Sequence, residues 1–557
     1  MSAVVPGPRS RPLRGWQRLR RPQLPVESLV VLASAYFALL CNGSFWRGAM
    51  QADPGNLRLA LALGLLLVGV HCLLLGLLAW RWNARWLLCL LLLASSFAAY
   101  FMDRYHVYVD VEMMRNVLAT DARESRELLV PSLLAPLLQA GVACLLVTRV
   151  RLPRLTPYRA LGYRAALLAG ALAAIAGSAA LASQDLAALL RNRREVRYLA
   201  TPANLMYALP RALAGNGTGT HAARLPIGTD ATATPRAPAA RPRLLVIVVG
   251  ETVRAASWGL DGYARQTTPR LAAMQVVSFT DVESCGTSTE VSLPCMFSPW
   301  GRRDYDRDRI RAHQSLLHVL EHAGIRTLWR DNQSGCKGVC EGLAQESMGQ
   351  ARDPGLCAGG RCQDGILLQD LAARARALPG DRVIVLHPLG VHGPAYFERY
   401  PPAFRHFTPT CDTPDLGRCS REQIRNSYDN GVLYTDHVLA STIETLADMH
   451  DYDSALLYVS DHGESLGEKG LYLHGVPRAI APPEQTRVPM LMWFSTGFTR
   501  AHGLDLACLR RRARAPASHD NLFSSVLGLM QVRTTLYQPA QDLLAGCSRP
   551  PDAPPAQ

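Results

Sequence analysis

The chain has 557 residues, with 59 Lys and Arg against 45 Asp and Glu and a formal charge of +14. Hydrophobic residues make up 48% and charged residues 19%, which excludes a disordered or fibrous chain and points toward a membrane. Residues 1–213 hold 24 Arg and 10 acids, so the whole charge excess lies there; no basic domain for nucleic acid is indicated, and none is expected as a partner.

Five apolar stretches come first, near 24–46, 58–80, 83–102, 129–148 and 162–184. Each approaches the ~20 residues a helix needs to cross a bilayer. A cleaved signal peptide does not fit, because the first stretch is long and four more follow. Arg9, Arg11, Arg14, Arg18, Arg20 and Arg21 precede the first stretch without an acid. Arg149, Arg151, Arg154, Arg159 and Arg164 follow the fourth, while the opposite loops carry Asp53, Asp103, Asp110, Glu112, Asp121, Glu124 and Glu127. Arginine marks the cytoplasmic side, so the N-terminus is expected there. Five spans then leave residues 185–557 outside, in the periplasm of a Gram-negative cell. The expected division is a transmembrane domain over 1–184, a bridging segment over 185–242 and an outer domain over 243–557. Within the bridge, 185–213 reads as one amphipathic helix on the membrane surface. Residues 214–242, rich in Gly, Thr, Ala and Pro, read as a linker.

Ten of the 14 cysteines lie downstream at short separations: Cys285/Cys295, Cys336/Cys340, Cys357/Cys362, Cys411/Cys419 and Cys508/Cys547. An even set in an oxidising compartment reads as disulfides. A zinc cluster is the weaker reading, since no Cys-x-x-Cys pair is present.

The outer domain alternates short apolar runs with helical patterns. The runs 244–249, 382–386, 455–460 and 488–494 read as strands of a sheet covered on both faces. The first ends in Gly250–Glu251–Thr252, the second in His387 and His392, and the third in Asp461–His462–Gly463–Glu464. Sites in open α/β folds form beyond the carboxyl ends of strands. Glu251, Asp461, His462 and His474 can therefore converge, and carboxylate with imidazole suits zinc or another divalent ion. The stretch from Cys285 to Cys295 supplies hydroxyls at Thr287, Ser288, Thr289 and Ser292. Metal coordination would make one of them nucleophilic, but the residues alone do not choose among the four.

The runs VVGETVRAASWGLDGYARQTTPRLA (248–272), SCGTSTEVSLPCMFS (284–298), DNQSGCKGVC (331–340), LHPLGVHGPAYFERYP (386–401), VSDHGESLGEKGLYLHG (459–475) and SHDNLF (518–523) resemble the lipid A phosphoethanolamine transferases, which include the mobile colistin-resistance enzymes. The resemblance covers nearly the whole chain. It implies five spans and a periplasmic α/β domain of alkaline phosphatase/sulfatase-like fold. It places zinc ligands on Glu251, Thr289, Asp461 and His462, with Thr289 as nucleophile. Lys337, Ser334, His387, His392 and His474 fall on the substrate side, and a second zinc is possible near His392 and His474. Asn116, Thr120 and Glu124, spaced by four as on one helical face, correspond to the family's headgroup-docking helix. Unaided, that face reads as solvated.

The implied reaction is a double displacement between two lipids at the inner membrane. Thr289 takes phosphoethanolamine from phosphatidylethanolamine, releasing diacylglycerol, and a lipid A phosphate then takes it from Thr289. His392 or His474 protonates the leaving alkoxide or holds the second zinc. The added ammonium would weaken attraction for polymyxins. The protein is expected to act as a monomer. Two alternatives stand beside this reading: phospho-group transfer to another envelope glycan, such as a core sugar or glucan, and an inert sulfatase-like domain that binds lipid.

Overall fold

The structure is a computed structural model. It describes residues 21–548 except 52, 121, 215–223, 237–239 and 360, and leaves the side chains of 122–124 and 350 undescribed. The chain divides into two compact units. The first takes residues up to Phe97 together with Ala135–Asn192 and Thr201–Ala203; the second takes Ala98–Leu134, Arg193–Ala200 and everything from Asn204.

Among the described residues, four helical stretches are long and apolar enough to cross a membrane: Leu57–Leu78, Ala84–Tyr105, Pro131–Arg149 and Pro157–Asn192. They correspond to the last four expected spans. The first expected span is a bent pair, α1 (Val26–Leu40) and α2 (Gly43–Met50), turning by 60°. The count is therefore four spans, or five if the pair is one. The break centres on Asn42, which has one near and one distant main-chain partner. The buried Asn42 side chain donates to Phe37 O at 2.8 Å and Thr201 O at 2.6 Å, and accepts from Thr201 N at 2.9 Å. A short amide that bonds main chain in this way competes with the helix ladder.

α3 (Leu57–Leu78) packs along the Pro157–Asn192 helix through small residues. A Cβ on Gly69 would sit 2.9 Å from Ile175, and one on Gly76 3.1 Å from Leu167. Such close approach is how helices gain packing where water supplies no drive. α4 (Ala84–Tyr105) leads into α5 (Val111–Ala119) and α6 (Ala122–Leu128), and α7 (Leu134–Arg149) returns. α8 (Pro157–Asn192) has a non-helical Ala182 and runs past the expected end at 184. The 185–213 segment, read as one helix, is divided: α8 stops at Asn192, a 3-10 turn covers Arg194–Leu199, and α9 covers Ala203–Ala214. Pro202 explains the second break, since the residue before a proline avoids helical dihedrals. Within the linker, Thr232–Ala233 pairs with Val532–Arg533, and Ala231 is buried in the core of the second unit.

The second unit is built on a seven-stranded sheet: β1 (Arg243–Gly250), β2 (Val277–Phe279), β3 (Arg326–Asp331), β4 (Gln345–Ser347), β5 (Arg382–His387), β6 (Asp453–Ser460) and β7 (Met490–Phe494). The order is β2-β7-β6-β1-β5-β3-β4. The run from β6 to β4 is parallel, while β7 and β2 are antiparallel additions. All eight residues of β1 are buried. Leu245, Ile247 and Val249 join one core and Leu244, Val246 and Val248 the other, the period-2 split of a sheet covered on both faces. The helix Arg421–Ala447 covers one face through Tyr428, Val432 and Leu439, and Asp520–Leu529 covers the other through Phe523, Val526 and Leu527. All five expected disulfides are present. Because β1, β3, β5 and β6 are parallel, their carboxyl ends share one edge, and the loops beyond that edge carry the site.

Candidate active site

Glu251 follows β1, Asp461 and His462 follow β6, and Thr289 opens the helix Thr289–Met296. All four are buried. The Thr289 hydroxyl lies 3.0 Å from Glu251 Oε2, 3.2 Å from Oε1 and 3.4 Å from His462 Nε2. His462 Nε2 is 3.4 Å from both Glu251 Oε1 and Asp461 Oδ2. Of the hydroxyls left open by the sequence, Thr287 Oγ1 donates to Val476 O at 2.8 Å and Ser292 Oγ accepts from Gly286 N at 2.9 Å, so both serve the turn. Ser288 is the N-cap of the helix. Thr289 alone among the four is bonded to the acid–imidazole cluster.

The donor set fits a metal ion. His462 Nδ1 sits 2.9 Å from Gly463 O, and a carbonyl can only accept, so Nδ1 carries a proton and Nε2 is the ring atom that faces the carboxylates. Asp461 Oδ1 accepts from Thr252 N and His462 N, while Asp461 Oδ2 is buried without a hydrogen-bond partner. Glu251, Asp461 and His462 each offer one ligand atom within 4.8 Å of the others. Four atoms bound tetrahedrally at ~2.0–2.2 Å stand roughly 3.3–3.6 Å apart, close to the 3.0–3.4 Å separations found here. The charges agree. Burial would lower the His462 imidazole, but Asp461 and Glu251 raise it to about 10. Burial, then the Glu251 charge, raises Asp461 to about 6. Burial opposes ionisation of Glu251, yet its bond to His462 brings it below the usual carboxylate range. Two carboxylates around one imidazole nitrogen call for a cation there, which a proton on Nε2 supplies and a metal ion can replace.

Around this cluster the structure gathers the residues expected on the substrate side in two groups. On one side, Lys337 Nζ donates to Ser334 Oγ at 2.7 Å, Ser334 Oγ donates to Gln333 Oε1 at 2.6 Å, and Gln333 Nε2 donates to Glu251 Oε2 at 3.0 Å. The Cys336–Cys340 bridge closes this loop. His387, at the end of β5, is fully buried; Nδ1 bonds Asp331 Oδ1 at 2.7 Å and Nε2 has no partner. On the other side, the rings of His462 and His474 lie 4.4 Å apart, and those of His474 and His392 5.2 Å apart. His474 Nδ1 bonds Glu464 Oε2 at 2.8 Å, and Tyr396 OH donates to Glu464 Oε1 at 2.5 Å. Burial raises Glu464 to about 8.

The reading of Asn116, Thr120 and Glu124 as one helical face needs correction. α5 ends at Ala119, Thr120 is extended (φ −63°, ψ 128°), and α6 begins at Ala122. Thr120 Oγ1 donates to Asn116 O at 2.9 Å, a side-chain bond that takes up a helix-end carbonyl. The sequence Asp121–Ala122–Arg123–Glu124 is itself a helix-start pattern. The Glu124 side chain lies outside the described residues. α5 packs against the Thr289–Met296 helix, and Met113 lies against Gly475 next to His474.

Several contributors were missed. Asp331 and Gln333 stand in the quoted run DNQSGCKGVC but become partners of His387 and Glu251 only through the sheet order. His519, in SHDNLF, accepts from Cys285 N at 3.0 Å through Nδ1 and so donates from Nε2 to Ser460 O at 2.9 Å. It ties the Thr289 turn to the end of β6, and burial holds it near 4, as its neutral bonding requires.

Residues 243–532 match the sulfatase family model, and residues 67–216 match that of phosphoethanolamine transferase EptA/EptB. The chain is 38% identical to phosphoethanolamine transferase EptA of Escherichia coli K12, covering 95% of this chain and 98% of that one. It is 36% identical to phosphatidylethanolamine transferase Mcr-1 of Escherichia coli, over 85% and 90%. Among solved structures, the integral membrane lipooligosaccharide phosphoethanolamine transferase A of Neisseria meningitidis superposes with a TM-score of 0.91 at 37% identity, covering 95% of this chain and all of that one. The soluble domain of the same Neisseria protein gives 0.58 at 45% identity, over 59% and 99%. With apolar spans, a sulfatase-type sheet and an acid–imidazole–threonine cluster at the strand ends, the chain belongs to the membrane-embedded phosphoethanolamine transferase family of the alkaline phosphatase superfamily.

Proposed function

We propose that this enzyme transfers phosphoethanolamine from phosphatidylethanolamine to a phosphate of lipid A through Thr289. The observation that carries the reading is the Thr289 hydroxyl, bonded to Glu251 and set against His462, in a chain that matches EptA along 95% of its length. Zinc is the ion assigned to Glu251, Asp461, His462 and Thr289; when bound, it lowers the pKa of a ligating hydroxyl and offsets phosphate charge.

The chain's own residues do the rest. Thr289 Oγ1 attacks phosphorus, the bond from phosphorus to the diacylglycerol oxygen breaks, and diacylglycerol leaves as the alcohol with a proton from His392 or His474. Phosphoethanolamine stays esterified to Thr289, whose place at a helix N-terminus suits the anionic group. A lipid A phosphate oxygen then attacks phosphorus in line, the bond to Thr289 breaks and frees the threonine oxygen, and the acidic proton of that phosphate restores the histidine that protonated diacylglycerol. Lys337, with Ser334, faces the non-bridging oxygens, and His387 Nε2 is a further donor. Asn116, Thr120 and Glu124 serve the donor headgroup. The reading includes an inner-membrane monomer with five spans counting the bent pair, a cytoplasmic N-terminus, a membrane part over 1–184, a bridge over 185–242 and a periplasmic domain from 243. The product carries an added ammonium, which lowers affinity for polymyxins.

Mass spectra of lipid A from cells with and without the gene test the acceptor. A phosphoethanolamine increment that depends on the gene and disappears with Thr289→Ala is the expected result. Unchanged lipid A with a modified core sugar or glucan would move the acceptor to another glycan. Trapped phosphoethanolamine mapping to Thr287 or Ser288 would overturn Thr289.

A further inference from the structure

The segment between α4 and α7 belongs to the same compact unit as the sheet, and charge ties it there. Arg104 pairs with Asp415 at 3.0 Å, and Ser132 Oγ donates to the other Asp415 oxygen at 2.9 Å. The second tie is Glu127, on α6. Its side chain is 9% exposed, and it receives two guanidinium groups, Arg361 on Oε1 and Arg399 on Oε2, the latter at 2.5 Å. Arg361 also pairs with Glu398 at 2.6 Å. Arg399 is buried, with its side chain 2% exposed, and its Nε donates to the main-chain oxygen of His392 at 2.6 Å.

We propose that Glu127 is a positioning residue for transfer: it holds Arg399, and Arg399 holds His392 in place beside His474. Arg399 is suited to this because a guanidinium presents separate donors along a rigid fork. One edge takes the Glu127 carboxylate while Nε takes the His392 carbonyl. Without the carboxylate, two guanidinium groups would face each other with only Glu398 between them, and a buried charge left unpaired drives local rearrangement. The His392 main chain then loses its anchor, and its ring moves relative to His474 and the phosphate held at Thr289. Glu127 also stands on the helix that carries Glu124, so that helix and His392 are held in one register.

The proposal rests on the role given to His392 above, and the test separates the two. Full-length enzyme in detergent is assayed with a fluorescent phosphatidylethanolamine donor as wild type, Glu127→Gln, His392→Ala and the double variant. Glu127→Gln keeps size and hydrogen-bonding capacity but removes the charge. A displacement near 1 Å at a reacting group costs up to about 100-fold, so kcat should fall by about 10- to 100-fold with the donor KM nearly unchanged. Placed on His392→Ala, the same change should add less than about 2-fold, because interacting sites are not additive. A role confined to stability would leave the two effects multiplicative, and that result overturns the proposal. An unaffected Glu127→Gln beside an impaired His392→Ala overturns it too, leaving the reading of His392 intact. A fully active His392→Ala overturns both. Should Glu127→Gln fail to accumulate, Arg399→Lys, which keeps the charge and loses the fork, takes its place in the same cycle with the same expected outcomes.

Discussion

Gly390→Ala offers a test of the proposed metal cluster that touches none of the residues assigned as its ligands. Gly390 lies in the loop after β5 with φ +58°, and its N–H donates to Asp364 Oδ2 at 2.8 Å. A Cβ there would stand 2.4 Å from the main-chain oxygen of Glu251 and 2.8 Å from its Cβ. These atoms are backbone and stem, not the swinging end of a side chain. The next residue, Val391, donates to that same Glu251 oxygen at 3.2 Å, so loop and strand end are already bonded together. Restoring an ordinary contact near 3.5 Å requires about 1 Å of relative movement. Left-handed backbone adds roughly 1–2 kcal/mol of strain for alanine. Because Glu251 closes the cluster, a shift of that size should cost about 100-fold in transfer together with part of the bound zinc. Gly380→Ala is the matched control: φ is +93°, and no atom lies within 4 Å of its Cβ position. It carries the strain without the clash. Zinc per molecule and the initial rate of transfer, measured on both purified variants, are the assay. If Gly390→Ala retains the zinc content and rate of Gly380→Ala, the coupling of this loop to Glu251 is refuted.

Two further outcomes are expected. His519→Ala removes the bonds to Cys285 N and Ser460 O. With each buried group left unpaired costing about 1–3 kcal/mol, thermal unfolding should shift down by several degrees; an unchanged midpoint would contradict the tie. Asp261 is raised to about 7 by burial, with one oxygen accepting from Ser278 Oγ at 2.9 Å and the other unpartnered. The unfolded chain ionises near ~3.9 and the folded one later, so the folded state binds more protons in between and its stability falls as pH rises from about 4 to 7. Asp261→Asn should therefore stabilise the protein above pH 7 and have no effect below about pH 4; a pH-independent difference in melting would refute this.

Short-range pattern was enough to locate most of the candidate site at the strand ends. Glu251, His387, Asp461 and His462 directly follow apolar strands, and parallel strands must present their ends together, so the convergence was readable before any distance was known. The cysteine spacings were equally local, and all five bridges formed. Composition located four apolar spans, because crossing a bilayer imposes a length that a single stretch must satisfy.

Elsewhere a distant partner decided the outcome. The first span bends because Asn42 finds Thr201, which is 159 residues away. The choice of Thr289 among four hydroxyls came, bottom-up, from which of them met the acids and which were used by Val476 and Gly286. The face drawn through Asn116, Thr120 and Glu124 failed because α5 ends at Ala119 and Glu124 stands on a second helix, a break that a spacing of four does not register. Asp331, Gln333, His519 and Glu127 carried no pattern of their own. Their roles depend on sheet order, on which β3 lies beside β5, and on the segment between α4 and α7, which folds in the same unit as the sheet, reaching Arg361 and Arg399. Periodicity and turn chemistry act within a few residues, so the sequence by itself determined four of the seven strands, most of the apolar spans and the candidate ligands at the strand ends. Buried charges and hydrogen-bonding groups must find partners wherever the fold brings them, and only the tertiary structure decided which side chains hold those ligands in place.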